Sequence, residues 1–270
     1  MSGDRLAPLI DIGINLGHDS YDADRDAVIA RARAAGVEQF VITGAALAGS
    51  EKACALARAL PGIAFATAGC HPHHALDYAT EAARLEALAA DPMVVAIGEC
   101  GLDYHRNFSS PAEQRSAFAR QLEVAVKLQK PLFLHERDAH ADLVAMLRDH
   151  APLPRAVLHC FTGDAAALDR YLDMGLWIGI TGWICDERRG LHLREIVGRI
   201  PAQRLMIETD GPYLLPRDLD PKPANRRNEP MYLAHVARSV AAARGESAER
   251  LAATTTATAR EFFGLPPPSN

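Results

Sequence analysis

Short apolar runs alternate with longer amphipathic stretches along almost the whole chain. The runs are rich in Val and Ile and show no polar alternation, which is typical of strands buried on both faces of a parallel sheet. Eight strands are predicted, at residues 9–14, 39–43, 64–70, 94–100, 131–136, 155–161, 177–182 and 204–210. Strands of this kind need helices to cover them.

Apolar residues at helical spacing predict these helices in the intervening segments. The predicted helices are residues 24–35, 49–60, 80–90, 110–130, 139–150, 164–174, 191–200, 231–244 and 249–263. Alternating strands and helices indicate an α/β protein, and eight such units favour a closed (β/α)8 barrel formed by a single domain over residues 1–270. An open doubly wound sheet is the alternative fold.

Composition fits a soluble globular protein but narrows the function only a little. Apolar residues make up 49% of the 270 residues, charged residues 23%, and the net charge is −5, so nucleic-acid binding would have to rest on local basic groups. We expect no membrane span and no signal peptide, because no apolar run is long enough and residues 1–8 lack an apolar core. Five dispersed cysteines without a Cys-x-x-Cys pair suit the cytoplasm.

Polar side chains recur where the predicted strands end. They are Asp11, His71, His73, Glu99, His135, His159 and Asp210. Singly, each has an ordinary explanation as a helix cap or a hydrogen-bonded core residue. In a barrel, however, all strand ends meet at one face, where such enzymes hold their active sites. The pattern therefore predicts one shared site.

Carboxylates and imidazoles together are the groups that a divalent-metal hydrolase needs. Carboxylates neutralise the ion and neutral imidazoles fix its geometry, so that a bound water loses its proton near neutral pH. A serine-nucleophile motif, Gly-x-Ser-x-Gly, does not occur in the sequence. Cys100 and Cys160 each follow a predicted ligand, and strand alternation predicts that both point away from the site, toward the helices.

Four sequence blocks resemble those of the TatD family of metal-dependent deoxyribonucleases. They are E-C-G-L-D at 99–103, H-E-R-D-A at 135–139, H-C-F-T-G at 159–163 and E-T-D-G-P-Y-L at 208–214. They span most of the chain in the family's order. The segment 179–190 and the P-K-P and R-R-N-E-P blocks at 221–223 and 226–230 resemble the branch after which the family is named more than its paralogues.

The resemblance implies a TIM barrel and an Mg²⁺-dependent 3′→5′ exonuclease that acts on single-stranded DNA, with RNA as a further substrate, in DNA repair. It implies that Glu99, His135 and His159 are metal ligands and that Asp210 is a ligand or the base for the attacking water. His71 and His73 would lie beside the metal and contact the scissile phosphate. Asp11, at the end of the first strand, is also predicted as a metal ligand.

One segment departs from the family pattern. Many relatives begin with an Asp-x-His-x-His pair, whereas this chain has D-I-G-I-N at residues 11–15. Without two nitrogen donors, the site should favour Mg²⁺ or Mn²⁺ over Zn²⁺. We expect one tightly bound ion, with a second arriving together with the substrate phosphate.

Basic and aromatic residues in the loops after the strands are candidates for nucleic-acid contacts. The basic ones are Arg106, Arg137, Arg188, Arg189, Arg217, Lys222, Arg226 and Arg227, and the aromatic ones are Tyr104, Phe108, Phe161, Trp183 and Tyr213. Arg137 and Arg227 are predicted to bind phosphates, and Asp103 is predicted to brace its loop. The expected partner is single-stranded DNA or RNA, with neither a membrane nor an obligate protein partner.

Three other functions remain open on the sequence alone. The first is another barrel hydrolase of the amidohydrolase class, although those usually carry the missing histidine pair and often a carboxylated lysine. The second is a D-aminoacyl-tRNA deacylase, an ester hydrolase that acts on nucleic acid. The third is a nucleic-acid-binding protein without catalytic activity.

Overall fold

Eight parallel strands form one sheet in the order of the chain. The computed structural model describes residue 6 and residues 8–267, so residues 1–5, on which the expectation about a signal peptide rests, lie outside it. The strands are β1 (Leu9–Ile14), β2 (Val37–Ile42), β3 (Ala64–Ala68), β4 (Val94–Asp103), β5 (Leu132–Arg137), β6 (Ala156–Leu158), β7 (Trp177–Ile180) and β8 (Leu205–Ile207). The predicted strands are all present.

The sheet closes into a barrel where its last strand meets its first. Seven successive pairs, from β1–β2 to β7–β8, are parallel ladders. Beyond the end of β8, Asp210 N–H donates a hydrogen bond to Gly13 O (2.8 Å), and Asn15 N–H donates to Gly211 O (2.9 Å). The predicted (β/α)8 barrel is confirmed.

In the part of the chain that the structure describes, nine α-helices cover the barrel. They are α1 (Arg25–Ala34), α2 (Leu47–Ala59), α3 (Tyr78–Ala89), α4 (Pro111–Leu128), α5 (His140–Asp149), α6 (Ala165–Asp173), α7 (Leu191–Ile196), α8 (Leu233–Arg244) and α9 (Ala248–Phe263). Among the described residues, no helix has both the length and the apolar character that crossing a membrane requires. The boundaries agree with the sequence pattern to within a few residues.

Helix α4 shows how local sequence determines an element. Ser110 and Glu113 form a reciprocal capping box at its start, next to Pro111 in the first turn. Phe118 and Leu122 are fully buried against the barrel. Val126, one helical turn after Leu122, is 37% exposed. The buried stripe of this helix is therefore narrower than its apolar sequence suggests.

The barrel interior is a separate apolar cluster to which every strand contributes. Ile10 and Ile12 lie in this inner cluster, whereas Leu9 and Ile14 belong to the outer cluster beneath the helices. Phe262 and Phe263 of α9 also pack against the inner cluster. Because side chains alternate along a strand, Asp11, between two interior residues, points out of the barrel interior.

Three strands end three residues away from the predicted position. Strand β4 continues to Asp103, whereas β6 and β8 stop at Leu158 and Ile207, before the predicted ends at residues 161 and 210. As a consequence, His159 lies in a turn and Asp210 in an irregular segment after its strand. Such segments impose no strand alternation, so these side chains can be directed individually into the mouth of the barrel.

Candidate active site

A pocket of about 740 Å³ lies at the carboxyl ends of the strands. Seven of the nine site residues predicted from the sequence line it. They are His71, His73, Glu99, His135, Arg137, His159 and Asp210. Asp11 and Arg227 are outside this lining. Asn15 and Asp103, which the sequence analysis did not assign to the site, are part of it.

Glu99 occupies the centre of the pocket. One of its oxygens, Oε1, lies 2.9 Å from His135 Nδ1, 3.2 Å from His159 Nε2 and 3.4 Å from His71 Nε2. Burial raises the pKa of Glu99, but the surrounding imidazoles outweigh it and hold the pKa well below its usual value. Glu99 is therefore ionised and faces three rings from three different strand ends.

His159 is held in the orientation of a metal ligand by Glu208. Its Nδ1–H donates to Glu208 Oε2 over 2.9 Å, which leaves Nε2 facing the Glu99 carboxylate. Burial lowers the pKa of His159, but Glu208 and Glu99 outweigh it and raise the pKa well above the usual value. A positive charge is thus favoured between Nε2 and Glu99. A proton or a cation can supply it, and the carboxylate–histidine pair is typical of metal sites.

Glu208 is a site residue that the sequence analysis did not single out. It is fully buried and also accepts a hydrogen bond from Cys160 N–H (2.6 Å). Two glycines make room for it, because a Cβ on Gly13 or Gly179 would lie 2.2 or 2.5 Å from a Glu208 oxygen. The signal available in the sequence was a glutamate in the E-T-D block, two residues before the predicted Asp210.

Asp103 both braces its loop and faces the pocket. Its Oδ1 accepts hydrogen bonds from the N–H groups of His105 (3.0 Å) and Arg106 (2.9 Å), as the sequence predicted. Its Oδ2 lies 2.8 Å from His73 Nε2 and 3.4 Å from His135 Nε2. Burial raises the pKa of Asp103, but the hydrogen bonds outweigh this and lower it. Asp103 is thus a second ionised carboxylate beside His135.

His71 is arranged as a hydrogen-bond donor. Its Nδ1 accepts from His73 N–H (3.1 Å), so the neutral ring carries its proton on Nε2, which faces Glu99. Burial lowers the pKa of His71 well below the usual value, which keeps the ring neutral. In this tautomer Nε2 carries a hydrogen and offers no lone pair. It therefore suits a contact to an anionic oxygen better than a bond to a metal.

Asp210 is half-buried, and a hydrogen bond occupies one of its carboxylate oxygens. Asn15 Nδ2 donates to its Oδ1 over 3.1 Å. Burial raises the pKa of Asp210 to about 7, and the charges of Glu99 and Glu208 act in the same direction, while His159 opposes them. A carboxyl group with a pKa near neutrality can accept a proton from water and release it again, as a general base must.

The donor set fits a divalent cation. Glu99 and His135 each bring a possible ligand atom to within 4.8 Å of the other, and His71, the third member of this cluster, carries a hydrogen on Nε2 in its present tautomer. Within residues 8–267, His135 Nε2 is buried and makes no hydrogen bond, although Asp103 Oδ2 lies 3.4 Å away. The carboxylates of Glu99, Asp103, Glu208 and Asp210 lie among four imidazoles, and several carboxylates that share one largely buried site favour a cation between them.

Asp11 lies beside the pocket and not in it. Its Oδ1 accepts a hydrogen bond from Thr209 N–H (3.0 Å), and Thr209 Oγ1 donates to its Oδ2. The geometry gives Asp11 the role of joining β1 to the segment after β8, in place of the predicted metal contact. The sequence could not reveal this, because the partner of Asp11 is 198 residues away.

The Asp11 carboxylate can be tested by an isosteric substitution. Burial raises its pKa to about 7, so the folded state retains a proton that the unfolded state has already lost, and stability falls as the pH rises from about 4 to 7. We expect Asp11→Asn to match wild type at about pH 4 or below and to unfold at a higher urea concentration near pH 8. We expect the metal affinity of Asp11→Asn to equal that of wild type. A loss of metal binding would instead support the predicted role of Asp11 as a ligand.

Arg227 also lies outside the pocket lining, paired with acidic side chains. Its guanidinium donates to Asp24 (2.7 and 2.8 Å) and Glu229 (2.8 Å) and lies over the ring of Tyr21. These carboxylates satisfy the positive charge, so the geometry supports a structural role in place of the predicted phosphate contact. Asp24 is 203 residues away in sequence, which explains why the pairing was not foreseen.

The two cysteines that follow predicted ligands behave differently. Cys100 is buried in the outer cluster beneath the helices, as predicted. Cys160 lines the pocket, and the prediction that it points toward the helices is wrong. The reason is that β6 has already ended, and Cys160 adopts a left-handed conformation (φ 46°) in the following turn, where strand alternation no longer applies.

Comparisons with known proteins agree with this geometry. The family model described as TatD related DNase matches residues 10–264. A Cronobacter sakazakii protein named 3′-5′ ssDNA/RNA exonuclease TatD is 55% identical over 257 residues, covering 94% of this chain and 97% of its own. An Erwinia amylovora protein of the same name is 52% identical, covering 95% and 100%.

Solved structures resemble the whole barrel. A TatD family hydrolase from Entamoeba histolytica superimposes with a TM-score of 0.87 at 27% identity, covering 96% of this chain and 99% of its own. A TatD homologue from Escherichia coli K12 gives a TM-score of 0.86 at 26% identity, covering 96% and 98%.

Proposed function

The chain belongs to the TatD family of DNases, and on this basis we propose that it is a single-domain, Mg²⁺-dependent 3′→5′ exonuclease for single-stranded DNA, with RNA as a second substrate. The observation that carries the proposal is the Glu208–His159–Glu99 arrangement beside Asp210. The first strand lacks the two histidines that many relatives carry, and the loss of two nitrogen donors favours Mg²⁺ or Mn²⁺ over Zn²⁺.

Each residue has a defined part in phosphodiester hydrolysis. A divalent cation would supply Lewis acidity and a lowered water pKa. Glu99, His135 and His159 would hold it, and Asp210 would accept the proton of the attacking water. His71 Nε2–H and His73 stabilise charge on the phosphoryl oxygens. Glu208 is a positioning residue, since it fixes the tautomer of His159.

The surface around the pocket suits an unpaired strand. A second pocket, of about 690 Å³, shares Arg137, Trp183 and Arg189 with the first, so the two form one continuous groove. Phe108 and Tyr213 on its rim are 67% and 52% exposed. Exposed aromatic rings stack on unpaired bases, and arginines bind the backbone phosphates between them.

Degradation of end-labelled oligonucleotides tests the proposal directly. With a 5′-labelled single strand and Mg²⁺, we expect a ladder that shortens from the 3′ end, with mononucleotides as products. EDTA should stop the reaction, and a 3′-label should be released in the first turnover. Internal cuts, shortening from the 5′ end, or activity that persists in EDTA would contradict it. A D-aminoacyl-tRNA assayed in parallel tests the deacylase alternative.

Arg137 and Arg227 form a matched pair for the phosphate contacts. Arg137 lines the groove, so Arg137→Ala should weaken oligonucleotide binding and reduce the slope of log Kd against log salt by roughly 0.7. Arg227 is bound to Asp24 and Glu229, so Arg227→Ala should keep the slope and lower the melting temperature by about 2–5 °C. If Arg227→Ala reduced the slope and Arg137→Ala did not, the phosphate contact would belong to Arg227.

Two wider assignments follow from the same proposal. The five cysteines are free thiols, which supports a cytoplasmic location. Removal of nucleotides from 3′ ends supports a role in DNA repair.

A further inference from the structure

A second group of potential ligands lies outside the active site. It consists of Cys185, Asp218 and His235, whose Sγ, carboxylate and imidazole atoms are within 4.8 Å of one another. His235 Nε2 is 2.7 Å from Asp218 Oδ1, and Cys185 Sγ donates to Ser239 Oγ over 3.3 Å. The mechanism described above uses none of these residues.

Three distant segments contribute the group. Cys185 ends the 3-10 helix Gly182–Cys185, and His235 is in the first turn of α8. Asp218 lies between them in sequence, in the long segment that joins β8 to α8. Ser239 is one helical turn after His235 and so lies on the same face of α8. A link among the three would therefore join otherwise separate parts of the barrel mouth.

The chemistry of the donors matches a thiophilic divalent cation. A thiolate and a carboxylate together neutralise a +2 charge, and a neutral imidazole completes a Cys-Asp-His set of the kind that binds Zn²⁺. Two tetrahedral ligand atoms lie about 3.3 Å apart when each is about 2 Å from the ion. The Asp218 and His235 atoms are closer than this, at 2.7 Å, and every pair of ligand atoms in the group lies within 4.8 Å, so only small side-chain movements are needed.

The surroundings orient the ligands and leave an entry path. Arg194 Nη2 lies 3.5 Å from Asp218 Oδ2, which leaves Oδ1 directed at His235. Arg194 Nε also donates to Ile184 O (2.8 Å), the carbonyl before Cys185. Cys185 is fully buried, whereas the side chains of Asp218 and His235 are 39% and 29% exposed. An ion can thus arrive from solvent and meet the thiol last.

We propose that Cys185, Asp218 and His235 form a second, structural metal site that binds Zn²⁺ or a similar thiophilic cation. The thiol proton passes to solvent when the ion binds, and a water or Ser239 Oγ completes the coordination. The ion braces the segments that carry Trp183, Tyr213 and Leu214 on the wall of the active-site pocket. The site is independent of the active-site metal and does not rest on the exonuclease activity.

Cobalt spectroscopy separates this site from the active site. The test uses the full chain with Glu99→Gln, which weakens the active-site metal position, loaded with one equivalent of Co²⁺. We expect a thiolate-to-cobalt charge-transfer band in the near ultraviolet and tetrahedral bands in the visible. Cys185→Ser should abolish the charge-transfer band, and His235→Ala should weaken Co²⁺ binding at least tenfold.

Two other cysteines serve as controls. Cys160→Ser removes the thiol in the active-site pocket, and Cys54→Ser removes a buried thiol beneath the helices. Both should leave the band unchanged. Zn²⁺ should also raise the melting temperature in the Glu99→Gln background, but not when Cys185→Ser is added. A band that is absent, that survives Cys185→Ser, or that is lost with Cys160→Ser would overturn the proposal.

Discussion

Replacing Glu99 with Gln should reduce kcat/KM with Mg²⁺ by at least about a thousandfold. The substitution keeps the side-chain volume but removes the charge that faces His71, His135 and His159. Glu99 would help to hold a cation in the pocket, so without its charge metal-assisted hydrolysis would lose its main source of charge stabilisation. Single-turnover rates on a 5′-labelled oligonucleotide measure the effect.

Thermal unfolding shows whether the loss is local. Mg²⁺ should raise the melting temperature of wild type, because it binds only the folded state, and this increase should disappear in Glu99→Gln. Glu51→Gln is the matched control, since Glu51 is an exposed residue of α2 that pairs with Arg84, and it should behave as wild type. A Glu99→Gln enzyme that keeps a tenth of the wild-type rate would exclude a ligand role for Glu99.

Asp210→Asn should lower kcat by about 10²- to 10⁴-fold, the usual contribution of a general base. The base must be ionised, so the wild-type rate should rise with pH through the pKa of Asp210, which burial raises to about 7. Added metal should move this acid limb to lower pH, because a nearby positive charge favours the carboxylate. Rate profiles between pH 5 and 9 at several Mg²⁺ concentrations measure both effects, and the limb should be absent in Asp210→Asn.

Asn15→Ala provides the matched variant for this prediction. The hydrogen bond from Asn15 lowers the pKa of Asp210. Without it the acid limb should move to higher pH, while the rate on the alkaline plateau stays within a few-fold of wild type. An acid limb that persists in Asp210→Asn, or that does not respond to Asn15→Ala, would assign the titration to another group.

The sequence was sufficient for the barrel and for most of the residues that line the candidate active site. Apolar runs identified all eight strands because each is buried on both faces. Polar residues at the strand ends placed Glu99, His135, His159 and Asp210 at one face, because a barrel has only one carboxyl end. The pattern therefore predicted which positions come together, whereas the roles given to them come from the family resemblance.

Partners that are distant in the chain were beyond the reach of the sequence. Arg227 has the charge expected of a phosphate contact, but Asp24, which lies near the other end of the chain, already neutralises it. The sequence places Glu208 inside a predicted strand, and its hydrogen bond with His159 is apparent only in the structure. Cys160 was assigned by alternation, which fails because β6 ends two residues earlier. Each error concerns a side-chain direction or a long-range pairing.

The seam between β1 and the segment after β8 has a consequence for how the protein is made. Asp11 and Gly13 hold Thr209 and Asp210, residues that leave the ribosome almost two hundred positions later. Contacts this distant form late, after most of the chain is available. A nascent or prematurely terminated chain that stops before β8 lacks Asp210 and the closed ring. The pocket at the carboxyl ends of the strands is therefore complete only when synthesis of the barrel is nearly finished.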